Sequence, residues 1–323
     1  MPLAAAIRAE ALRLGFAAAG FAAAGPARSF PRFRDWLDRG CAAGMAYLER
    51  RANLRQDVRR LAPWARSVIA VAAPYPAARP LQPFSTYALG RDYHAAVHGR
   101  LRRLARAVEA LASRPVQARI CVDSAPILER EWAVRAGLGW IGRQGSLVNA
   151  RWGCTLFLGE LLVNLDLPED GPAASQCGDC RRCLDACPAG ALQPDGLVDA
   201  RRCLSYLTVE HRGEWPPGAP APRTGALFGC DACTAVCPFN PRQAADAWPE
   251  FLPGPDSAPT AAECLAMEPG EFKRRFRDTA VFRSGLDRLR RNAQAVLQAG
   301  APPAPGETAG APYRGSAGGR PPA

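Results

Sequence analysis

A chain of 323 residues with 48% hydrophobic side chains can bury a sizeable core and needs no disulfide framework to fold. Mean hydropathy is −0.15 and no apolar run is long enough to span a bilayer, which argues against a membrane protein. The formal charge is +11 and Lys273 is the only lysine, so the positive charge is almost wholly arginine, a side chain that pairs well with phosphate and suits a nucleic-acid partner.

The N-terminal stretch Ala4–Ala24 is rich in alanine. Arg8, Glu10 and Arg13 interrupt it early, unlike the unbroken apolar core of a secretory signal, so a cytoplasmic location is expected. It reads as a first helix followed by a short strand around Gly15–Gly20. Arg66–Tyr75 has the apolar run of a buried strand, closed by Pro74 and Pro76. Val97, Leu101, Leu104, Val108 and Leu111 recur at spacings of four and three. They give a helix one apolar face, with Arg100, Arg102, Arg103 and Arg106 mostly elsewhere. Arg119–Asp123 reads as the next strand, Ile127–Ala136 as a helix, and Cys154–Leu165 as one or two buried strands.

Leu167–Ser175 is polar and proline-rich, and marks a boundary. Cys177–Asn240 is rich in cysteine, with a loop at Pro216–Pro222. Ala261–Gln298 returns to helix with a basic face. Gly300–Ala323 is mostly Gly, Pro and Ala, which cannot bury enough surface to stay ordered. The expected architecture is an α/β (α+β) domain over residues 1–168 and a ferredoxin-like domain over 169–245. A short helical segment over 246–299 and a disordered tail over 300–323 complete it. No heptad or exposed apolar stripe argues for a dimer, so a monomer is expected.

Eight of the twelve cysteines carry the clearest chemistry. Cys177-x2-Cys180-x2-Cys183-x3-Cys187-Pro188 matches the bacterial two-cluster ferredoxin run at every position. A partial second copy is Cys230-x2-Cys233-x3-Cys237-Pro238. Three thiolates spaced by two residues wrap one face of a cubane, and the cysteine before the proline turns away to the other cluster. One [4Fe–4S] cluster then takes Cys177, Cys180, Cys183 and Cys237. The other takes Cys187, Cys230 and Cys233, with Cys203 between the motifs as its natural fourth ligand. Two zinc sites would also use Cys-x2-Cys pairs, but have no need of the Cys-Pro ending. Cys41, Cys121, Cys154 and Cys264 remain unassigned.

Other motifs carry less. Gly137-Leu138-Gly139-Trp140-Ile141-Gly142 fits the dinucleotide pattern, yet a helix rather than a strand is expected before it, so a glycine turn near a ligand is the better reading. Asp92-Tyr93-His94 has the Asp-x-His start of one class of cobalamin domain, but lacks that pattern's glycine three residues on, where Val97 stands. His94 and His98 are four apart, and read as helix-surface residues.

Several segments taken together resemble epoxyqueuosine reductase. They are Gly90–His94 (GRDYH), Val122–Arg130 (VDSAPILER), Ala136–Gly142 (AGLGWIG), Phe157–Leu162 (FLGELL), Ala200–Thr208 (ARRCLSYLT) and Phe228–Asp231 (FGCD), set around the cysteine motifs. The resemblance covers roughly residues 1–295 of the chain. It implies an enzyme that reduces epoxyqueuosine to queuosine at the wobble position of tRNA, the last step of queuosine biosynthesis. It further implies cobalamin in the N-terminal domain, used as Co(I) and fed by the two clusters from an external electron donor. The resemblance makes Asp123 the proton donor, with a pKa raised by burial. It places Leu147 and Leu158 beside cobalamin, and Tyr87, Ser205 and His211 near the cofactor or the tRNA. Asp92 is the reserve acid. The bland role for Asp123 is the N-cap of a helix over Ala125–Ala136. Two departures stand out: Arg143-Gln144-Gly145 replaces the usual lysine-containing turn, and the helical-repeat extension of some members is missing. Reductive dehalogenases, similar in architecture and cofactors, are the alternative. So is a pure Fe–S electron carrier, against which the bulk of residues 1–165 argues.

Overall fold

A computed structural model describes residues 1–77, 83–240, 247–254 and 257–300. The 245/246 boundary and the tail beyond Gly300 lie outside the described residues.

The body is a four-stranded sheet between two layers of helix. In chain order it comprises α1 (Leu3–Arg13), β1 (Ala18–Ala23), α2 (Phe30–Asp38), α3 (Ala46–Arg50), α4 (Ala52–Gln56), β2 (Ser67–Pro74), α5 (Tyr93–Ala112), β3 (Ala118–Cys121), α6 (Glu129–Arg135), β4 (Trp140–Ile141), β5 (Leu147–Val148) and β6 (Leu156–Val163). The sheet order is β1-β2-β6-β3, every neighbour antiparallel, and β4 with β5 forms a separate hairpin. Every residue of β2 is buried, as its unbroken apolar run requires of a strand covered on both faces.

Alternate residues of β2 and β6 serve opposite faces. Ile69, Val71, Ala73, Phe157 and Leu161 meet α1 and α5. Val68, Ala70, Ala72 and Leu162 meet α6 through Trp132 and Ala133. On α5 the buried positions are Val97, Leu101, Leu104 and Val108, each contributing roughly 1.5–3 kcal/mol by leaving water. Leu111, expected on that face, is 42% exposed, because α5 ends at Ser113 in a left-handed cap just beyond it. Gly159 lets α5 approach the sheet: a Cβ there would stand 2.8 Å from Leu101 and 3.0 Å from Val97.

Three expected boundaries move. The first strand begins at Ala18 rather than Gly15, since an alanine run carries no periodic signal. β3 ends at Cys121, leaving Asp123 beyond it with φ +46°. Helix α6 begins at Glu129, because Pro126 disfavours helical backbone at Ala125. Cys154–Leu165 forms the single strand β6.

The cysteine-rich segment has short helices α7 (Arg182–Asp185) and α8 (Ala232–Ala235), one inside each motif, and a π-turn over Tyr206–Glu210. It is pinned to the body on two sides. Trp36 Nε1 donates to Val198 O (2.7 Å) and Gly44 N to the Tyr206 hydroxyl (2.8 Å). Opposite, Asp231 accepts from the Thr86 amide (2.7 Å) and from the Ser85 hydroxyl. The C-terminal helices are α9 (Ala261–Ala266), α10 (Pro269–Phe276) and α11 (Leu286–Ala299). Thr260 and Glu263 close a capping box on α9. Buried Asn292 of α11 donates to Thr208 O and Leu227 O, both at 2.8 Å, locking this helix onto the cysteine-rich segment. No helix among the described residues is long and apolar enough to cross a membrane.

Candidate active site

Asp123 is placed by the turn after β3. Its left-handed backbone is unusual for a residue with a Cβ, and its amide N–H is held by the Glu129 carboxylate on the first turn of α6. It therefore does not cap α6, whose N-cap is Leu128 with no side-chain hydrogen bond. The Asp123 carboxylate is 52% exposed on one side and walled by protein on the other.

His94, on the first turn of α5, reaches it: Nε2 is 2.8 Å from Asp123 Oδ2 and Nδ1 is 2.6 Å from Asp92 Oδ1. Arg283 Nε donates to the other oxygen of Asp92 at 3.0 Å. The ring of His94 also stacks on Tyr93, 4.1 Å between centroids, and Tyr93 stacks on Phe157 at 4.3 Å. His94 is thus no ordinary helix-surface residue, and its Nε2 is committed to Asp123. His98 lies on the surface, 3.4 Å from Arg102.

The electrostatics correct the expected raised pKa of Asp123. Burial alone would raise it, but the hydrogen bond and charge of His94 outweigh burial and hold it below the usual carboxylate value. Burial would likewise lower His94, yet Asp123 and Asp92 push it up to about 9. At neutral pH the proton of this unit sits on the imidazole. Behind it, burial and the charge of Asp123 raise Glu129 to about 7. Burial and Glu129 raise Glu160 of β6 well above the carboxylate range. Glu160 is fully buried, and neither of its oxygens has a hydrogen-bond partner.

Opposite Asp123 lie Glu210, Tyr47 and Tyr87. Burial, then the charge of Asp123, raises Glu210. Burial and Glu210 raise Tyr47 to about 12. Tyr87 feels Asp231, Asp123 and Glu210 together. The cleft is therefore bounded by the body, by the π-turn of the cysteine-rich segment and, through Arg283 and Arg288, by the C-terminal helices. Tyr87, Leu158, Ser205 and His211 are half-buried, and His211 Nε2 pairs with Glu214 O at 2.8 Å. Leu147 is packed in the core against Leu138 and Ala136, so its side chain does not reach the open surface.

The cysteines gather into two sets that cross between motifs. Burial, and after it the charge of neighbouring thiols including Cys187, raises Cys203, Cys230 and Cys233, and Cys233 also feels Cys183. Cys183 feels Cys180 and Cys177, while Cys237 joins Cys177 beside Trp140, Val148 and Cys154. Among the described residues no three His, Cys, Asp or Glu side chains stand close enough to hold a single metal ion, a different demand from surrounding a cubane. Cys41, Cys121, Cys154 and Cys264 are all buried. The glycine motif follows α6 and leads into β4, the wrong order for a dinucleotide fold.

Residues 176–240 match a 4Fe-4S double cluster binding domain, and residues 55–124 match the epoxyqueuosine reductase QueG family. An epoxyqueuosine reductase of Gloeobacter violaceus is 39% identical over 314 residues, covering 92% of this chain and 97% of that protein. The chain belongs to the epoxyqueuosine reductase family. The Escherichia coli epoxyqueuosine reductase is 36% identical over 91% of this chain and 80% of its own length. Among solved structures, epoxyqueuosine reductase from Streptococcus thermophilus superposes with a TM-score of 0.79 at 30% identity, covering 91% of this chain and 80% of that one. An epoxyqueuosine reductase crystallised with an epoxyqueuosine-modified tRNA-Tyr stem loop gives 0.81 at 29% identity, over 90% and 80%. As a member, the chain is an oxidoreductase of queuosine biosynthesis with an α/β QueG fold and two 4Fe-4S clusters.

Proposed function

We propose that this epoxyqueuosine reductase works on tRNA in the cleft between Asp123 and Glu210, with cobalamin held there. In this reading, residues 1–168 form the cofactor-binding domain, 169–245 carry the clusters and 246–299 close the cleft. Cluster one takes Cys177, Cys180, Cys183 and Cys237. Cluster two takes Cys187, Cys203, Cys230 and Cys233. The resident groups fit the residues present. Two crossing sets of buried or half-buried thiols suit two cubanes. The open side of Asp123, with half-buried Tyr87 close to it, leaves a face on which a flat cofactor can lie. When bound, cobalamin supplies the two-electron reducing centre that single-electron clusters cannot.

The protein's own part is proton supply and placement. Removing an epoxide oxygen as water, with formation of the alkene, consumes two electrons and two protons. His94 stores one proton, and Asp123 stands between His94 and the cleft. Covering the exposed side of Asp123 with cofactor and substrate raises its pKa by desolvation and lets the proton pass from His94 Nε2 through Asp123 to the leaving oxygen. Asp92 and Arg283 fix the tautomer and orientation of His94. Arg212 and Arg288, whose charges act on Glu210, and Arg283 beside His94 would serve as phosphate contacts at the rim, and electrons come from an external donor. The observation that carries this reading is the 2.8 Å contact between His94 Nε2 and the half-open carboxylate of Asp123. Its test is anaerobic turnover of epoxyqueuosine-containing tRNA with and without added cobalamin. Turnover indifferent to cobalamin in stripped protein would remove that cofactor from the account.

A further inference from the structure

The β4–β5 hairpin does more than connect α6 to β6. Trp140 is 3% exposed, and its indole N–H points at Cys177 Sγ, 3.3 Å away. The same ring meets Phe239 edge-on at 5.0 Å, so it is wedged between the first Cys-x2-Cys turn and the residue following Cys237-Pro238. Three residues on, Arg143 Nη2 donates to Gly178 O at 2.8 Å, inside that first Cys-x2-Cys turn. Arg143 opens the Arg143-Gln144-Gly145 turn between the two strands of the hairpin. A hairpin of the α/β body thus grips the loop of one cluster by a ligand sulfur and by a carbonyl between two ligands.

We propose that Trp140, supported by Arg143, raises the reduction potential of the cluster held by Cys177 and of that cluster alone, so that the body sets the potential of a cluster none of its own residues ligates. This rests on the ligand reading above. An N–H dipole aimed at a ligating sulfur stabilises the reduced cluster, which carries one more negative charge, over the oxidised one. A guanidinium held on the ligand loop acts in the same direction, more weakly than the indole because its contact with Gly178 O is open to solvent. Burial of the indole matters as well: the N–H has no solvent to turn to, so its whole dipole is spent on sulfur.

The test is a potentiometric titration of the anaerobically purified holoprotein, followed by electron paramagnetic resonance. Cys203→Ser identifies which signal belongs to the other cluster. Trp140→Phe keeps the ring and its contact with Phe239 while deleting the N–H. It should shift one midpoint to more negative potential and leave the other in place, with iron and sulfide content unchanged. Arg143→Gln, a substitution at the hairpin turn, should shift the same midpoint in the same direction. If both variants hold two clusters with both midpoints at the wild-type values, the inference is overturned. It is equally overturned if both midpoints move together, since that reports a general loosening. Wild-type protein with fewer than two clusters would instead overturn the ligand reading beneath it.

Discussion

His94 Nε2 lies 2.8 Å from Asp123 Oδ2, a contact between the first turn of α5 and the turn after β3. The two residues are held from behind by different groups, His94 by Asp92 and the Asp123 amide by Glu129. In the proposed mechanism the acid is on that account a pair, with the proton on one member and the exposure to substrate on the other.

Replacing Asp123 by Asn keeps size and one acceptor but delivers no carboxylic proton. Loss of a general acid costs about a hundred- to ten-thousand-fold in rate. Asp123 caps no helix but partners His94, so the melting temperature should fall modestly while the fold stays intact. His94→Gln should lower the rate in the same range while both clusters remain. Single-turnover rates on modified tRNA check this, and an Asp123→Asn enzyme with most of its activity would transfer the role to Asp92.

The pair also sets a pH dependence. His94 is raised in the folded protein from 6.5 to about 9. Its contribution to stability is therefore fully present below about 6.5 and lost as pH rises through about 9. Asp123 is lowered from 3.8, so its share is present above that value and lost as pH falls through its folded pKa. Melting curves of wild type and His94→Gln should differ by a constant amount between about pH 4 and 6.5 and converge above about 9. A gap that widens from pH 7 to 9 would show His94 to be neutral in the fold.

Anaerobic protein should carry about eight iron and about eight sulfide per chain, the content of two cubanes. Cys203→Ser should damage the cluster it shares with Cys187, Cys230 and Cys233 and spare the other. Cys264 packs among Met267, Phe272 and Phe276, far from both sets, so Cys264→Ser should lose stability and no iron. Iron and sulfide assays on the two variants decide it; equal iron loss in both would break the assignment.

The double-cluster domain was legible because a contiguous cysteine run with fixed spacing signals cluster ligation. The buried stripe of α5 was legible for the same reason of periodicity, up to Leu111, where the helix outruns the sheet. What was not legible is contact across long separations. His94 and Asp123 are 29 residues apart, and Trp140 and Cys177 are 37 apart. Hydrogen bonds between elements leave no local pattern. The same limit made a helix cap of Asp123 plausible: the residues that exclude it are Pro126, which delays α6, and Glu129, which takes the Asp123 amide instead.

Binding of tRNA should depend on salt. Arg212, Arg283 and Arg288 at the cleft, with the wider arginine surface, can neutralise about four to six phosphates. Log affinity should then fall against log salt with a slope of roughly −3 to −5. Filter binding of a modified anticodon stem loop across salt concentrations measures it. A flat response would mean that recognition rests on the nucleobase alone. Arg288→Gln should flatten the slope by about one contact and leave the clusters untouched.

Glu160 gives the prediction that runs against intuition. It sits in β6, between Ala70 of β2 and Cys121 of β3 in register, and has no solvent and no hydrogen-bond partner for either oxygen. Burial and the charge of Glu129 raise its pKa well above 4.5, so the folded protein binds more protons than the unfolded chain. Stability must then fall as pH rises above about 4.5. Glu160→Met fills similar volume and leaves no polar atom to desolvate, so the variant should be the more stable by about 1–3 kcal/mol at neutral pH. Its advantage should grow from pH 5 to pH 8, because the unfolded wild-type chain gains by ionising Glu160 while the fold keeps it protonated. Denaturant melts at several pH values measure both effects. A Glu160→Met protein less stable than wild type at every pH would mean that the carboxyl is satisfied, by a buried water or a rotated partner, and contributes to the fold.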